Sequence, residues 1–253
     1  MKRFQSILIT GASSGIGAAL AVEFAAPGVT LFLGGRAIER LAGVSEACRK
    51  RGATVEATAV DVVNRAQMEE WIGAADKKVP LDLVIANAGV SGGTLRGMEK
   101  YEKTRRIFET NLDGVLNTVF PALPGMRSRR RGQIGLMASL AAYRGLPGAP
   151  AYGASKAAVR VWGESLRGNL SPKGVGVSVI MPGFIKTSMT DSNKFPMPFL
   201  MTAERAARIT RRGLERNRPR IAFPFPMACL AWFIGILSPA LIDPLLARLP
   251  KKD

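Results

Sequence analysis

The feature that most restricts the fold is a rhythm. Seven short apolar runs, at residues 6–10, 29–34, 54–60, 81–86, 133–138, 175–181 and 220–223, alternate with helix-length stretches at 16–26, 38–51, 65–77, 103–126, 151–170 and 203–216. Strands with one wet face would carry polar residues at every second place. These runs are apolar almost throughout, so both faces of the sheet they form must be covered. The rhythm therefore predicts an α/β fold in three layers, α/β/α, built on a doubly wound parallel sheet. A chain of 253 residues suits one such domain. We place it at residues 1–223, with 224–253 as an apolar helical extension of the same domain. Three stretches interrupt the rhythm: a glycine-rich one at 91–102, another at 183–201, and the tail from Pro224.

The first run enters Thr10-Gly11-Ala12-Ser13-Ser14-Gly15-Ile16-Gly17 directly, and a helical pattern follows. A strand, a glycine turn and a helix N-terminus make an anion site, because free backbone N–H groups and the helix dipole face the same point. The glycines permit a tight turn and close backbone approach to a pyrophosphate. Their spacing is G-x-x-x-G-x-G rather than the commoner G-x-G-x-x-G.

A dinucleotide with a free ribose 2′-hydroxyl is usually held by a carboxylate at the end of the second strand. Here the chain reads Leu33-Gly34-Gly35-Arg36. A guanidinium at Arg36 suits a 2′-phosphate, and Ser13 could donate a further hydrogen bond. NADP(H) is thus expected in preference to NAD(H). The alternatives are that Arg36 merely opens a solvated helix, or that Glu39, one turn on, takes the ribose.

There is no histidine. That excludes Ser-His-Asp and Cys-His catalysis and the usual histidine metal sites. Cys48 and Cys229 are too few for a disulfide framework or a cysteine zinc site, so no metal is expected. Proton chemistry must fall to Tyr, Lys, Asp, Glu or a cofactor. Tyr152 and Lys156 stand four apart at the start of a helical pattern and share one face. A free tyrosine titrates near ~10, and a neighbouring ammonium lowers that value. Ser139 follows the fifth run, at the end of the sheet where such folds bind ligands.

Taken in order, TGASSGIG, Asp61-Val62, Asn87-Ala88-Gly89, Asn111, Ser139, Tyr152-x-x-x-Lys156, Pro182-Gly183 and Thr187 closely resemble the short-chain dehydrogenase/reductase family, over roughly residues 4 to 220. The resemblance implies a Rossmann-like sheet of about seven strands and an oxidoreductase interconverting a ketone or aldehyde with its alcohol. It implies that Tyr152 is the acid or base and that Ser139 holds the substrate oxygen. Lys156 would bind the nicotinamide ribose and tune Tyr152, and Asn111 would hold a water linking Lys156 to solvent. The cofactor would lie against Gly11, Ser13, Ser14, Gly15, Ile16, Gly17 and Arg36. Asp61 would accept from the adenine amino group, with Val62 lining the adenine pocket. Asn87, Ala88 and Gly89 would lie against the cofactor ribose, and Pro182, Gly183, Ile185 and Thr187 would shape the carboxamide pocket. The family commonly carries Ser-Ser after the fifth strand; Ala138-Ser139-Leu140 makes this pocket more apolar.

The intact Asn-Ser-Tyr-Lys set speaks against a silent NADP(H)-binding sensor. The glycine spacing and the absence of a long substrate domain speak against epimerase or dehydratase chemistry. A net charge of +17 and the run Arg127-Ser128-Arg129-Arg130-Arg131 raise nucleic acid as a partner. No aromatic residue interleaves with that run to stack on bases, so a solvated basic turn is expected instead. The expected partners are a small, apolar carbonyl or alcohol substrate and further copies of the chain, as a homodimer or homotetramer. The segment Phe195–Met201 would make a greasy lid. From Ala228 to Leu237 the tail carries no charge; it is too short to cross a bilayer, which takes about 20 apolar residues. Arg216, Arg218 and Arg220 before it, with Lys251 and Lys252 after it, could meet an anionic membrane surface; packing on the core or a subunit is the alternative. No secretory leader is evident, and a cytoplasmic enzyme, peripheral to the membrane or not, is the expectation.

Overall fold

A computed structural model describes residues 4–92, 94, 98–191, 193 and 195–248; Lys251 and Lys252 lie outside these. The chain runs β1 (Ser6–Thr10), α1 (Gly15–Phe24), β2 (Thr30–Gly35), α2 (Ile38–Arg49), β3 (Thr54–Ala59), α3 (Arg65–Lys78) and β4 (Leu83–Ala86). It continues with α4 (Tyr101–Phe108), a π turn at Glu109–Asp113, α5 (Gly114–Val119), α6 (Leu123–Ser128), β5 (Gly132–Met137) and α7 (Pro150–Leu170). Then follow β6 (Val175–Pro182), β7 (Ile185–Lys186), α8 (Ser188–Asp191), β8 (Met201–Thr202), α9 (Ala203–Glu215) and β9 (Arg220–Phe223). Two helices end the described chain, α10 (Phe225–Ile236) and α11 (Pro239–Leu246).

Seven strands form one parallel sheet in the order β3-β2-β1-β4-β5-β6-β9, as the apolar runs require. Every residue of β1, β4, β5 and β6 is buried. One apolar core lies on the side of α3, α5 and α7, the other on the side of α1, α2 and α9. The strand order reverses between β1 and β4, which opens the crevice where open α/β sheets bind ligands.

Two expectations change on folding. The stretch 103–126 is not one helix. Pro121 and Pro124 lack the N–H that a continuous ladder needs, and the chain passes through a 3₁₀ turn at Phe120–Ala122. Before that the π turn brings Gly114 against Val62, where a Cβ would lie 2.6 Å from the valine methyl. The arginine run does form a turn, but it is not simply solvated. Arg129 makes two bonds to Asp76, at 2.9 and 2.7 Å, and one to the Leu81 carbonyl. Arg131 pairs with Asp82 at 2.8 Å, and Arg130 bonds the Pro172 carbonyl. These guanidinium groups join α3, β4 and the turn after α7 at the end of the sheet away from the crevice.

The tail does not hang free. Met227, Ala228 and Ala231 of α10 pack on the core, and Gly235 lies so close to Tyr143 that a Cβ would meet its carbonyl oxygen at 2.7 Å. Arg144 holds the far end through the Leu237 carbonyl and Asp243. The opposite face exposes Phe225, Leu230, Trp232, Phe233, Ile236, Leu241 and Leu245. Among the described residues no helix is long and apolar enough to cross a membrane.

Candidate active site

The glycine loop adopts the shape its composition allows. Gly11 and Gly15 have φ of 64° and 56°, in the left-handed region that glycine enters without strain. A Cβ on Gly11 would stand 2.8 Å from Ala88 Cα, and one on Gly17 would stand 2.3 Å from the Gly11 carbonyl oxygen. The loop is thus pressed onto the end of β4. Asn87 fastens it: its side-chain amide donates to the carbonyls of Thr10, at 2.9 Å, and Gly11, at 3.2 Å. The Thr10 hydroxyl accepts in turn from the N–H groups of Asn87 and Ala88. Thr10 is a functional residue that the sequence reading passed over, though it opens the glycine motif. At the start of α1, Ser14 makes no side-chain cap and the first turn holds no acid. The N–H groups of that turn remain available to an anion, so this loop fits a dinucleotide pyrophosphate.

At the end of β2, Arg36 is exposed and has no hydrogen-bond or ion-pair partner among the described residues. Ser13 lies against the preceding residue: a Cβ on Gly35 would be 3.3 Å from the Ser13 hydroxyl. Gly34 must stay bare, because a Cβ there would run into the Trp71 ring at 2.4 Å. After β3, Asp61 accepts from the Val63 N–H at 3.1 Å, and Val62 is buried with its carbonyl bonded by Asn117. Thr187 faces the glycine loop across the crevice, 3.2 Å from where a Gly15 Cβ would be. Ile185 is buried and pairs with Met201 in the small β7–β8 ladder.

Ser139, Tyr152, Lys156 and Asn111 come together around the ends of β4 and β5. Tyr152 is partly buried and its phenol lies within the influence of Ser139, whose hydroxyl also accepts from the Ala141 N–H at 3.2 Å. The Lys156 ammonium lies 5.9 Å from the Tyr152 ring centroid. Asn111 Oδ1 and Lys156 Nζ flank Gly89, at 3.1 and 3.2 Å from a Cβ placed there, a tighter fit than side chains usually have. Asn111, in the π turn, is fully buried. Its Oδ1 accepts from the Val90 N–H at 2.8 Å, while its amide donates to the Val90 carbonyl at 2.9 Å and to Ser155 Oγ at 3.0 Å. Ser155 is a second residue that the motif spacing alone did not single out.

The electrostatics differ from the sequence expectation in one respect. Burial raises the Tyr152 phenol above its ordinary value, and the Ser139 hydroxyl offsets part of that rise. Lys156 is 4% exposed, and its ammonium donates to the Met137 carbonyl at 2.8 Å. Burial brings it down to about 8. A buried cation resting on one carbonyl is an unstable tenant unless another acceptor shares the charge. Ribose hydroxyls are suitable acceptors.

Beyond β6, the Gly183 N–H donates to the Phe223 carbonyl at 2.8 Å. A Cβ on Gly183 would press on Met227 of α10, at 2.9 Å, and contact Leu140 at 3.4 Å. The tail therefore walls the loop that follows Pro182. In the stretch expected to form a lid, the rings of Phe184 and Phe195 meet edge to face at 6.1 Å, while Phe199 and Leu200 face outward.

A family model described as short chain dehydrogenase matches residues 5–196. An "uncharacterized oxidoreductase" of Myxococcus xanthus is 39% identical over 247 residues, spanning 97% of this chain and 98% of that protein. The ketoacyl reductase HetN of Nostoc sp. is 33% identical over 199 residues, 78% of this chain and 69% of that one. Among solved structures, a short chain dehydrogenase/reductase from Burkholderia phymatum in complex with NAD is similar at a TM-score of 0.85 and 26% identity. That likeness covers 100% of this chain and 99% of the other.

Proposed function

This chain belongs to the short-chain dehydrogenase family of oxidoreductases, and on that premise we propose that it interconverts a bulky, apolar ketone or aldehyde and the corresponding alcohol with NADP(H). The observation that carries the reading is the convergence of Ser139, Tyr152 and Lys156 at the end of β5, with the Lys156 ammonium 5.9 Å from the Tyr152 ring centroid. A bound nicotinamide dinucleotide would supply or accept the hydride. Ser139 orients the substrate oxygen, and Tyr152 donates a proton to that oxygen in reduction or removes it in oxidation. Lys156 binds ribose hydroxyls and steadies the phenolate. The Asn111 side chain is committed to Val90 and Ser155, so a relay water would rest on its main-chain carbonyl. Such π turns recur at functional sites because they free a backbone group.

Arg36 carries the preference for a 2′-phosphate: it is exposed, unpaired among the described residues, and follows Gly35, which lies against Ser13. Leu140, Met227 and the Phe184–Phe195 pair make the surroundings apolar, which favours a hydrophobic substrate over a sugar. The outer face of α10 and α11 extends that character. Asp243, the one carboxylate in residues 224–248, is neutralised by Arg144. A face without free negative charge suits an anionic bilayer surface, and we assign the tail there; a subunit contact is the other outcome of its test. The primary test is a panel of carbonyl and alcohol substrates followed by NADPH absorbance. A chain that binds NADPH yet turns over no member of a broad panel would be a sensor instead.

A further inference from the structure

Glu99 lies just before α4, yet its carboxylate reaches the first turn of α7. Its Oε2 accepts from the Ala151 N–H at 3.0 Å and lies 3.5 Å from the Thr104 hydroxyl. The helix has no cap of its own. Ala149, at the N-cap, carries no acceptor side chain, and Pro150 has no N–H to offer. Ala151 thus presents the first N–H of the helix, and Tyr152 comes next. A charged acceptor at this place satisfies an orphan donor and complements the helix dipole. The other oxygen, Oε1, is buried without a hydrogen-bond partner among the described residues. Gly92 makes room for it, since a Cβ there would stand 2.8 Å away. A buried carboxylate oxygen without a donor is costly. A capping Asn or Ser at position 149 would avoid that cost. Glu99 instead ties the segment after β4, which lines a cavity of about 670 Å³ with Met98, Phe108 and Pro147, to the helix that carries Tyr152 and Lys156.

We propose that Glu99 is a positioning residue for proton transfer by Tyr152, acting through the Ala151 backbone to fix the first turn of α7. This rests on Tyr152 being the proton donor. The bond sets where the Tyr152 backbone begins, and misplacement by about 1 Å is enough to cost roughly 10²-fold in rate. The test compares Glu99→Ala, Glu99→Gln and Tyr152→Phe in the full chain, with a substrate from the carbonyl panel. Glu99→Ala should lower kcat about 10-fold or more while KM and NADPH affinity stay within roughly threefold. Glu99→Gln keeps an acceptor for the Ala151 N–H and should recover most of kcat. Wild-type kcat in Glu99→Ala would overturn the proposal. So would a Glu99→Gln variant whose kcat falls about 10-fold or more, which decides the matter even if the Ala variant does not fold. Full turnover in Tyr152→Phe would instead overturn the functional reading, whatever the Glu99 variants do.

Discussion

Helices α7 and α10 break the ordinary partition of residues in opposite directions. Apolar side chains are usually buried and charges usually exposed. Helix α7 buries a lysine and a serine against β5 and the π turn, while α10 buries little beyond Ala228 and exposes Phe225, Leu230, Trp232, Phe233 and Ile236. Each departure costs free energy in the isolated chain, and each implies something that offsets it. For Lys156 the Met137 carbonyl accepts from it, and the further offset we propose is the ribose of a bound cofactor. For α10 the offset we propose is external, a membrane surface or another copy of the chain. The two meet physically, because the inner side of α10 walls Gly183 and Leu140 beside Ser139.

The strongest way to break this contrast is to remove the reactive hydroxyl on α7. Tyr152→Phe should lose at least ~10²–10⁴-fold in turnover while NADPH still binds, because the hydroxyl moves the proton and does not hold the cofactor. Steady-state rates and fluorescence titration check both halves. Near-wild-type kcat would refute the assignment.

Lys156→Met sharpens the claim that burial of the lysine is a cost borne for function. Turnover and NADPH affinity should both fall, yet the protein without cofactor should resist urea better at pH 7. The sign follows from the depressed value of about 8 against 10.5 for a free lysine. Below pH 8 the folded state must carry a buried charge, and the whole penalty is present. Between about 8 and 10.5 the unfolded chain holds the extra proton, so wild-type stability rises with pH relative to the variant. Above that window the penalty is gone. A displacement of this size corresponds to at most about 3 kcal/mol. If the two proteins show the same pH dependence from 7 to 10, Lys156 is not a strained cation.

Arg36→Ala lies outside both helices and probes the far end of the crevice. Loss of a charge-assisted phosphate contact should weaken NADPH by about 10- to 100-fold and leave NADH nearly unchanged. Equal losses for the two cofactors would remove Arg36 as the reader of the 2′-phosphate.

The smallest effect on the enzyme itself should come from the outer face of α10. Deleting the tail would uncover Gly183 and Leu140, so exposed positions are the better target. Trp232→Ser with Phe233→Ser should change folding stability by no more than about 0.5 kcal/mol per site and leave turnover of a soluble substrate intact. Co-sedimentation with anionic vesicles should drop sharply. If the wild-type chain ignores such vesicles at moderate salt, and the double variant merely splits an oligomer on size exclusion, the face is a subunit contact.

How much of this was legible in the sequence follows from the range of each signal. The glycine turn, the parallel strands and the Tyr152–Lys156 face are set by residues within a few places of one another, and local sterics and periodicity fix them wherever the chain goes. The apolar runs forecast the sheet because a strand buried on both faces has no other composition open to it. Arg36 was legible for the same reason, as the residue that leaves β2. Other features depended on which distant segments meet. Nothing in the sequence near Glu99 announces that it caps a helix fifty-two residues later; that bond exists because α4 packs on α7. The π turn at Asn111 likewise depends on the close fit of Gly114 on Val62. The arginine turn looked solvated until β4 and α3 brought Asp82 and Asp76 beside it. For α10 the limit was of another kind. Its residues are apolar on nearly every side, so no stripe marks an inner face. Sequence determined that the tail would be apolar, the cofactor loop glycine-bound and the proton chemistry histidine-free. Tertiary packing alone decided which face of α10 was spent on the core and which was left exposed, because only contact with Gly183, Tyr143 and Arg144 distinguishes them.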